Sequence, residues 1–406
     1  MTNKLWTRDF TIITIGSAVS ILGNSMAGFA SSLLVLDYTG STFLFALFNV
    51  VFMIPYLVVP LIAGPLLDRF SRKRAIYTLD FVSAGMYLLI FFLLKLGFFS
   101  FVPLLLFTFV EGCISSVYSV AYESFYPNLV SEGNLSRAYS IDSLLWPLSA
   151  LMTPVAAFIY ERVGVEPLFL ANCVCFFIAA CFEVSIRAEE KHIASGGEKP
   201  SVSRFVSDFR DGWGYLKSEP GLMCIALYFC ASNFVGGIDT LVLPYFRSVP
   251  ALGVTLYTYV MAFSVAGRFI GGLVHYKFKY PTDKKFAIAL FVYAVLNVLY
   301  AGYLFLPVPL MMLFLFATGF LGVTSYNIRI SATQSYIPDS HRARFNGIFS
   351  VITTVGTVSG ELAAGALAEA FPIRAVVVGL CVLGLVSTLI MVFGRRSVKL
   401  IYNRQV

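Results

Sequence analysis

Charged residues are scarce in this sequence of 406 residues: Asp, Glu, Lys and Arg together make up 13%, about half the roughly 25% of a soluble domain. A water-exposed surface cannot be built from so few. The sequence also lacks alternation of polar and apolar residues, which excludes a membrane β-barrel; its apolar residues come in long runs such as Phe101 to Val110 and Ala375 to Phe393. Missing too are a phosphate-cradling Gly-x-x-x-x-Gly-Lys-Ser/Thr loop, a Gly-x-Gly-x-x-Gly turn, a Gly-x-Ser-x-Gly elbow and a His-Glu-x-x-His pair, so ATP hydrolysis and the common intramembrane chemistries have no visible machinery. The seven cysteines fall inside apolar runs, so they read as packing residues rather than disulfides or metal ligands. No cofactor is expected, nor an enzyme.

What is present is a hydrophobic content of 58% and a mean hydropathy of +0.81. At about 20 apolar residues per span the length allows roughly a dozen helices. The runs predict spans near 10–36, 41–66, 75–97, 102–126, 138–160 and 167–187, then 220–246, 253–275, 286–306, 309–335, 345–370 and 374–394. The first run is too long for the core of a signal peptide and reads as the first span. The net charge of +7 marks no nucleic-acid surface, because the bases sit between apolar runs without interleaved aromatics. Counted by side, 23 Lys and Arg fall on one face, 4 on the other and 2, Arg268 and Arg329, within spans. That asymmetry predicts cytoplasmic termini and a cytoplasmic central loop in a plasma-membrane protein. The expected organisation is a six-helix bundle over 1–187, a cytoplasmic linker over 188–218 carrying an amphipathic helix, and a second six-helix bundle with a tail over 219–406. Within the linker, Val202, Phe205, Val206, Phe209, Trp213 and Leu216 recur at helical spacing.

After the second span comes Gly64-Pro65-Leu66-Leu67-Asp68-Arg69-Phe70-Ser71-Arg72-Lys73-Arg74. It resembles the signature loop of the major facilitator superfamily, Gly-x-Leu-Ala-Asp-Arg-x-Gly-Arg-Lys/Arg-x, with Ser71 where glycine is usual. A weaker copy, Gly271 to Lys279, stands in the second half with His275 where an acid would fall. The stretches from Tyr118 to Ser140 and from Gln334 to Gly347 are similar to the macrolide-efflux and enterobactin-exporter branch. The resemblance implies the major facilitator fold: all-α, 12 transmembrane helices as two six-helix bundles around a central cavity. It also implies a secondary active exporter of a small amphipathic organic molecule coupled to protons, monomeric in the lipid bilayer. A lipid or lysolipid translocator, and a receptor-like protein without transport, remain alternatives. Gly64, Asp68, Arg69, Arg72, Lys73 and Arg74 are the expected gate.

Ionisable residues at bilayer depth are costly, at least ~2.5–3.5 kcal/mol each, and so mark a path or a partner. Glu111, Asp239, Arg268, Arg329 and Glu361 fall in spans that the superfamily places around its cavity. Glu111 and Asp239 lack an opposite charge one turn away and are the first candidates for proton exchange. Arg268 and Glu361 are either a packing pair or part of the path. Asn24 and Asn233, with Asn327, Gln334, Tyr118, Trp146, Tyr257 and Tyr326, complete the polar candidates. Asp80 is expected to serve the arginines of the gate loop. Gly356, Gly360 and Ala364, like Gly267 and Gly271, have the spacing of close helix contacts.

Overall fold

The computed structural model describes residues 5–67, 70–98, 100–131, 134–142, 145, 149, 152–188, 190, 202–277 and 280–404. Their regular structure is helical throughout. In chain order the helices are α1 (Arg8–Thr39), α2 (Thr42–Met53), α3 (Pro55–Leu67), α4 (Arg72–Lys95), α5 (Phe101–Phe125), α6 (Leu135–Asp142), α7 (Met152–Val163) and α8 (Glu166–Val184). They continue as α9 (Val202–Ser218), α10 (Pro220–Val235), α11 (Asp239–Ser248), α12 (Gly253–Lys277), α13 (Lys285–Gly302), α14 (Val308–Tyr336), α15 (Asp339–Ala370), α16 (Ile373–Phe393) and α17 (Arg395–Tyr402).

Among the described residues eleven helical stretches are long and apolar enough to cross a membrane. The stretch expected as the fifth span is described only in part, as α6 and α7. Elsewhere the local chemistry sets the boundaries. Thr7 caps α1 by accepting from the Phe10 amide at 3.2 Å, and Gly40 ends it with a left-handed φ of 63°, a backbone that glycine adopts without strain. Ser41 then caps α2 through the Leu44 amide at 3.1 Å. Proline accounts for the interruption of the second span, since Pro55 opens α3 directly after Ile54 and removes a helical donor. Large apolar side chains such as Phe109, Phe177, Phe291 and Leu313 are exposed, as a lipid-facing surface requires.

The chain divides into two units, Met1–Pro200 and Ser201–Val406. In the first, α8 packs along α4 and α1, and Phe10, Ile13, Ala121, Phe125 and Tyr126 fill a core that is fully or nearly fully buried. In the second, α12 packs along α14 and α10 along α15. Close contact there depends on missing side chains: a Cβ on Gly356 would collide with the Cys230 carbonyl, one on Gly360 with Phe234, and one on Gly267 with Phe316. The spaced glycines therefore do what their spacing predicts. The amphipathic helix α9 lies against α15, burying Leu216 and stacking Tyr215 on His341 at 4.5 Å. At the far end α17 buries Val398, Ile401 and Tyr402, and the Tyr402 hydroxyl meets that of Tyr293 at 3.0 Å.

Candidate functional site

The gate loop ends in a capped helix. Ser71 accepts from the Arg74 amide at 3.1 Å, so the serine that replaces the usual glycine starts α4. Three bases in the first turn sit at the positive end of the helix dipole, which is unfavourable by itself. Glu190 compensates: its carboxylate accepts from the Lys73 amide at 3.1 Å and from the Ser71 hydroxyl. Arg72 donates to the Ser124 carbonyl at 3.0 Å, Lys73 donates its ammonium to the Ile186 carbonyl, and Arg74 is exposed. Gly64 lies in α3, while Asp68 and Arg69 lie outside the described residues. Sequence reasoning missed Glu190; the acidic pair Glu189-Glu190 just after the sixth span was its signal.

In the same unit three acids are almost fully withdrawn from solvent: Asp80 at 1%, Glu111 at 2% and Glu183 at 0% exposure. Ser83 donates to both Glu111 oxygens at 3.2 and 3.3 Å, and Tyr56, next to the Pro55 interruption, is in electrostatic contact with the same carboxylate. Gly112 makes this possible, since a Cβ there would press on Phe52 and Pro55. The expectation for Asp80 is corrected. Among the described residues it meets no arginine of the loop but accepts from Ser20 at 3.4 Å and faces Glu183 and Glu111. The helix carries Asp80 inward, and its partner comes from α8, a hundred residues away in sequence. Asn24 bonds to the Tyr87 hydroxyl at 3.4 Å and Tyr118 donates to Glu183 at 3.3 Å, so both serve contacts within this bundle. Trp146 lies outside the described residues.

The seventh span, expected as one helix, runs over Pro220–Ser248 and tightens locally. Gly236–Ile238 forms a single 3₁₀ turn between α10 and α11, where Gly237 touches the Gly360 backbone so closely that a Cβ would not fit. Asp239 follows this turn as the first residue of α11, with its amide bonded back to the Gly236 and Gly237 carbonyls. A cavity of about 120 Å³ lies here, lined by Asp239, Ser232, Tyr228, Tyr293, Asn297 and Tyr300.

Arg268 acts electrostatically on Asp239, and Asp239 in turn on Glu361. The alternative in which Arg268 and Glu361 form a packing pair is corrected: the guanidinium's electrostatic partner is Asp239, and Glu361 Oε2 is buried with no hydrogen-bond partner among the described residues. Asn233 donates to the Phe229 carbonyl at 2.7 Å and accepts from Thr357 at 3.3 Å, tying α10 to α15 about one turn before the 3₁₀ segment. Arg329 stands apart. Its guanidinium lies 5.0, 5.3 and 4.8 Å from the ring centres of Phe229, Tyr326 and Phe349, an aromatic box in which each face attracts the cation by about 0.5–2 kcal/mol. Gln334 donates to Asn346 at 2.8 Å, and Tyr257 packs on Phe246.

Comparison with known proteins assigns this architecture. A family model described as transmembrane secretion effector matches residues 4–399. Over 286 residues the chain is 25% identical to the uncharacterized MFS-type transporter YkuC of Bacillus subtilis strain 168, covering 67% of this chain and 66%, just under two thirds, of that protein. It is 21% identical over 285 residues to macrolide efflux protein A of Streptococcus pyogenes, covering 67% of this chain and 68% of that one. In fold it resembles the crystal structure of the nucleoside transporter NupG, with a TM-score of 0.71, 12% identity and coverage of 95% and 99%. An all-helical, multi-pass membrane chain with a capped basic loop, a locally tightened span and buried acids thus belongs to the transmembrane secretion effector family of major facilitator transporters.

Proposed function

We propose that this protein is a secondary active exporter of small amphipathic organic molecules, working by alternating access and driven by protons. Asp239 in the seventh span carries the reading. A carboxylate just after a 3₁₀ turn, beside a cavity, with a base and a second acid in electrostatic range, provides the bistable charge arrangement that coupling requires. Glu111 is its counterpart in the first unit, and Arg268, Glu361 and Asn233 complete the polar surroundings. Tyrosines around the cavity suit an organic substrate with an apolar body and a cationic or polar group, and the likeness to a macrolide efflux protein supports the same class. Gly64, Asp68, Arg69, Arg72, Lys73 and Arg74 form the gate at the inner face, where α4 begins. The chain acts as a monomer in the cell membrane.

The test is accumulation of erythromycin in bacteria that lack their own exporters. Cells making this protein are expected to accumulate several-fold less, and a protonophore to cancel the difference. Equal accumulation overturns the export reading; export that ignores the protonophore overturns proton coupling.

The distribution of bases supports cytoplasmic termini and a cytoplasmic 188–218 segment. A fluorescent reporter fused after Arg404 is accordingly expected to fold and emit, and alkaline phosphatase at the same place to stay inactive. The opposite pattern would invert the topology.

A further inference from the structure

The first unit holds two acids that the proposed path leaves unused. The carboxyl groups of Asp80 on α4 and Glu183 at the end of α8, both buried, face each other where the two helices pack together. Glu183 Oε1 accepts from the Tyr118 hydroxyl at 3.3 Å, and Asp80 Oδ2 accepts from Ser20 at 3.4 Å. That leaves Glu183 Oε2, on a residue with no exposed surface, without any donor among the described residues. The titratable groups facing the pair are Glu111 and Tyr118, both from α5, with Tyr122 beyond Tyr118. From α1 come only Gly16 and Ser20. No Lys, Arg or His reaches the pair among the described residues.

Two ionised carboxylates present only acceptor atoms to each other and cannot bond. The orphaned oxygen and the carboxyl opposite it need one donor, and a single proton supplies it. We propose that Asp80 and Glu183 form a proton-binding site, holding one shared proton whose release leaves two like charges facing each other inside the first helix bundle. The chemistry balances as one O–H bond broken, one proton delivered to water and no change in oxidation state. Release would push α4 from α8, the two helices whose packing forms the spine of the unit. Ser83 lies one helical turn along from Asp80 and bonds Glu111, so the pair and Glu111 share one face of α4. Its place in the transport cycle rests on the proton-driven reading above.

The experiment is infrared difference spectroscopy of the purified full-length chain in lipid nanodiscs, between neutral and alkaline buffer. The parent is expected to show a C=O stretch of a protonated carboxyl that alkali removes. Asp80→Asn and Glu183→Gln each place an amide N–H where the proton stood, so each variant is expected to lose that band while eluting as a monodisperse protein. Glu111→Gln is expected to keep the component that the pair variants lose, removing at most a band of its own. A parent without the band, a band that persists in both pair variants, or one that sodium removes at constant pH overturns the site. Erythromycin export that ignores a protonophore while the band behaves as expected counts against the proton-driven reading alone.

Discussion

Asp239→Asn is expected to abolish concentrative export while downhill movement of the same substrate continues. Amide replaces carboxylate at nearly constant volume, so the cavity by the seventh span keeps its shape. What changes is the charge count: Arg268 loses the acid it acts on, and Glu361 loses its like-charged neighbour. Coupling is a free energy shared between two sites, typically ~1–3 kcal/mol or about 5–150-fold. Removing the group that carries it should therefore lower the sustained gradient by at least about tenfold. Glu111→Gln, in its Ser83-bonded site, is expected to give the same split in smaller measure. Proteoliposomes loaded with erythromycin measure both modes with and without an imposed pH gradient. If the Asp239 variant concentrates substrate as well as the parent across the neutral range, the coupling assignment is wrong.

Gly360→Val is expected to reduce folded protein and transport together. A Cβ on Gly360 would run into the Phe234 carbonyl, and the same stretch of α15 receives Gly237 from the 3₁₀ turn. Neither contact can yield by rotating a side chain, because the atoms met are backbone. Overpacking of this kind costs about 1–3 kcal/mol and sometimes more, and here the cost falls on the helix that positions Asp239. Gly379→Ala is the matched control. That glycine lies in α16, where an added Cβ meets nothing within 4 Å, so the variant should express and melt like the parent. Equal thermal stability of the two variants in detergent would show that the α10–α15 contact is looser than described.

Much of this could be read along the chain, because hydropathy and capping act over short range. The apolar runs located the spans, and the Gly356 and Gly360 spacing located a helix contact. The basic cluster located the start of α4. What could not be read depends on partners distant in sequence. Asp80 looks like a neighbour of Arg72 and Arg74 on paper, yet α4 carries it into the bundle toward Glu183. Glu190 returns from beyond the sixth span to the loop before the third. Arg268 and Glu361 look like a natural pair because both are charged and in cavity spans, but it is Asp239 on which Arg268 acts. Two consecutive glycines in an apolar run announce close packing as readily as a broken helix, and the contact of Gly237 with the Gly360 backbone shows close packing.

The aromatic box around Arg329 has an electrical consequence. Ring faces stabilise a guanidinium without cancelling its charge, whereas a carboxylate would make a neutral pair. Its near neighbours besides Phe229, Tyr326 and Phe349 are the hydroxyls of Tyr293 and Tyr402, so α14 carries a full positive charge at membrane depth. Any rearrangement that shifts α14 along the membrane normal moves that charge through the transmembrane voltage, at up to about 2.3 kcal/mol per 100 mV for a complete crossing. Under the proposed alternating access, membrane potential would then bias the equilibrium between the two faces, even for a substrate that bears no charge.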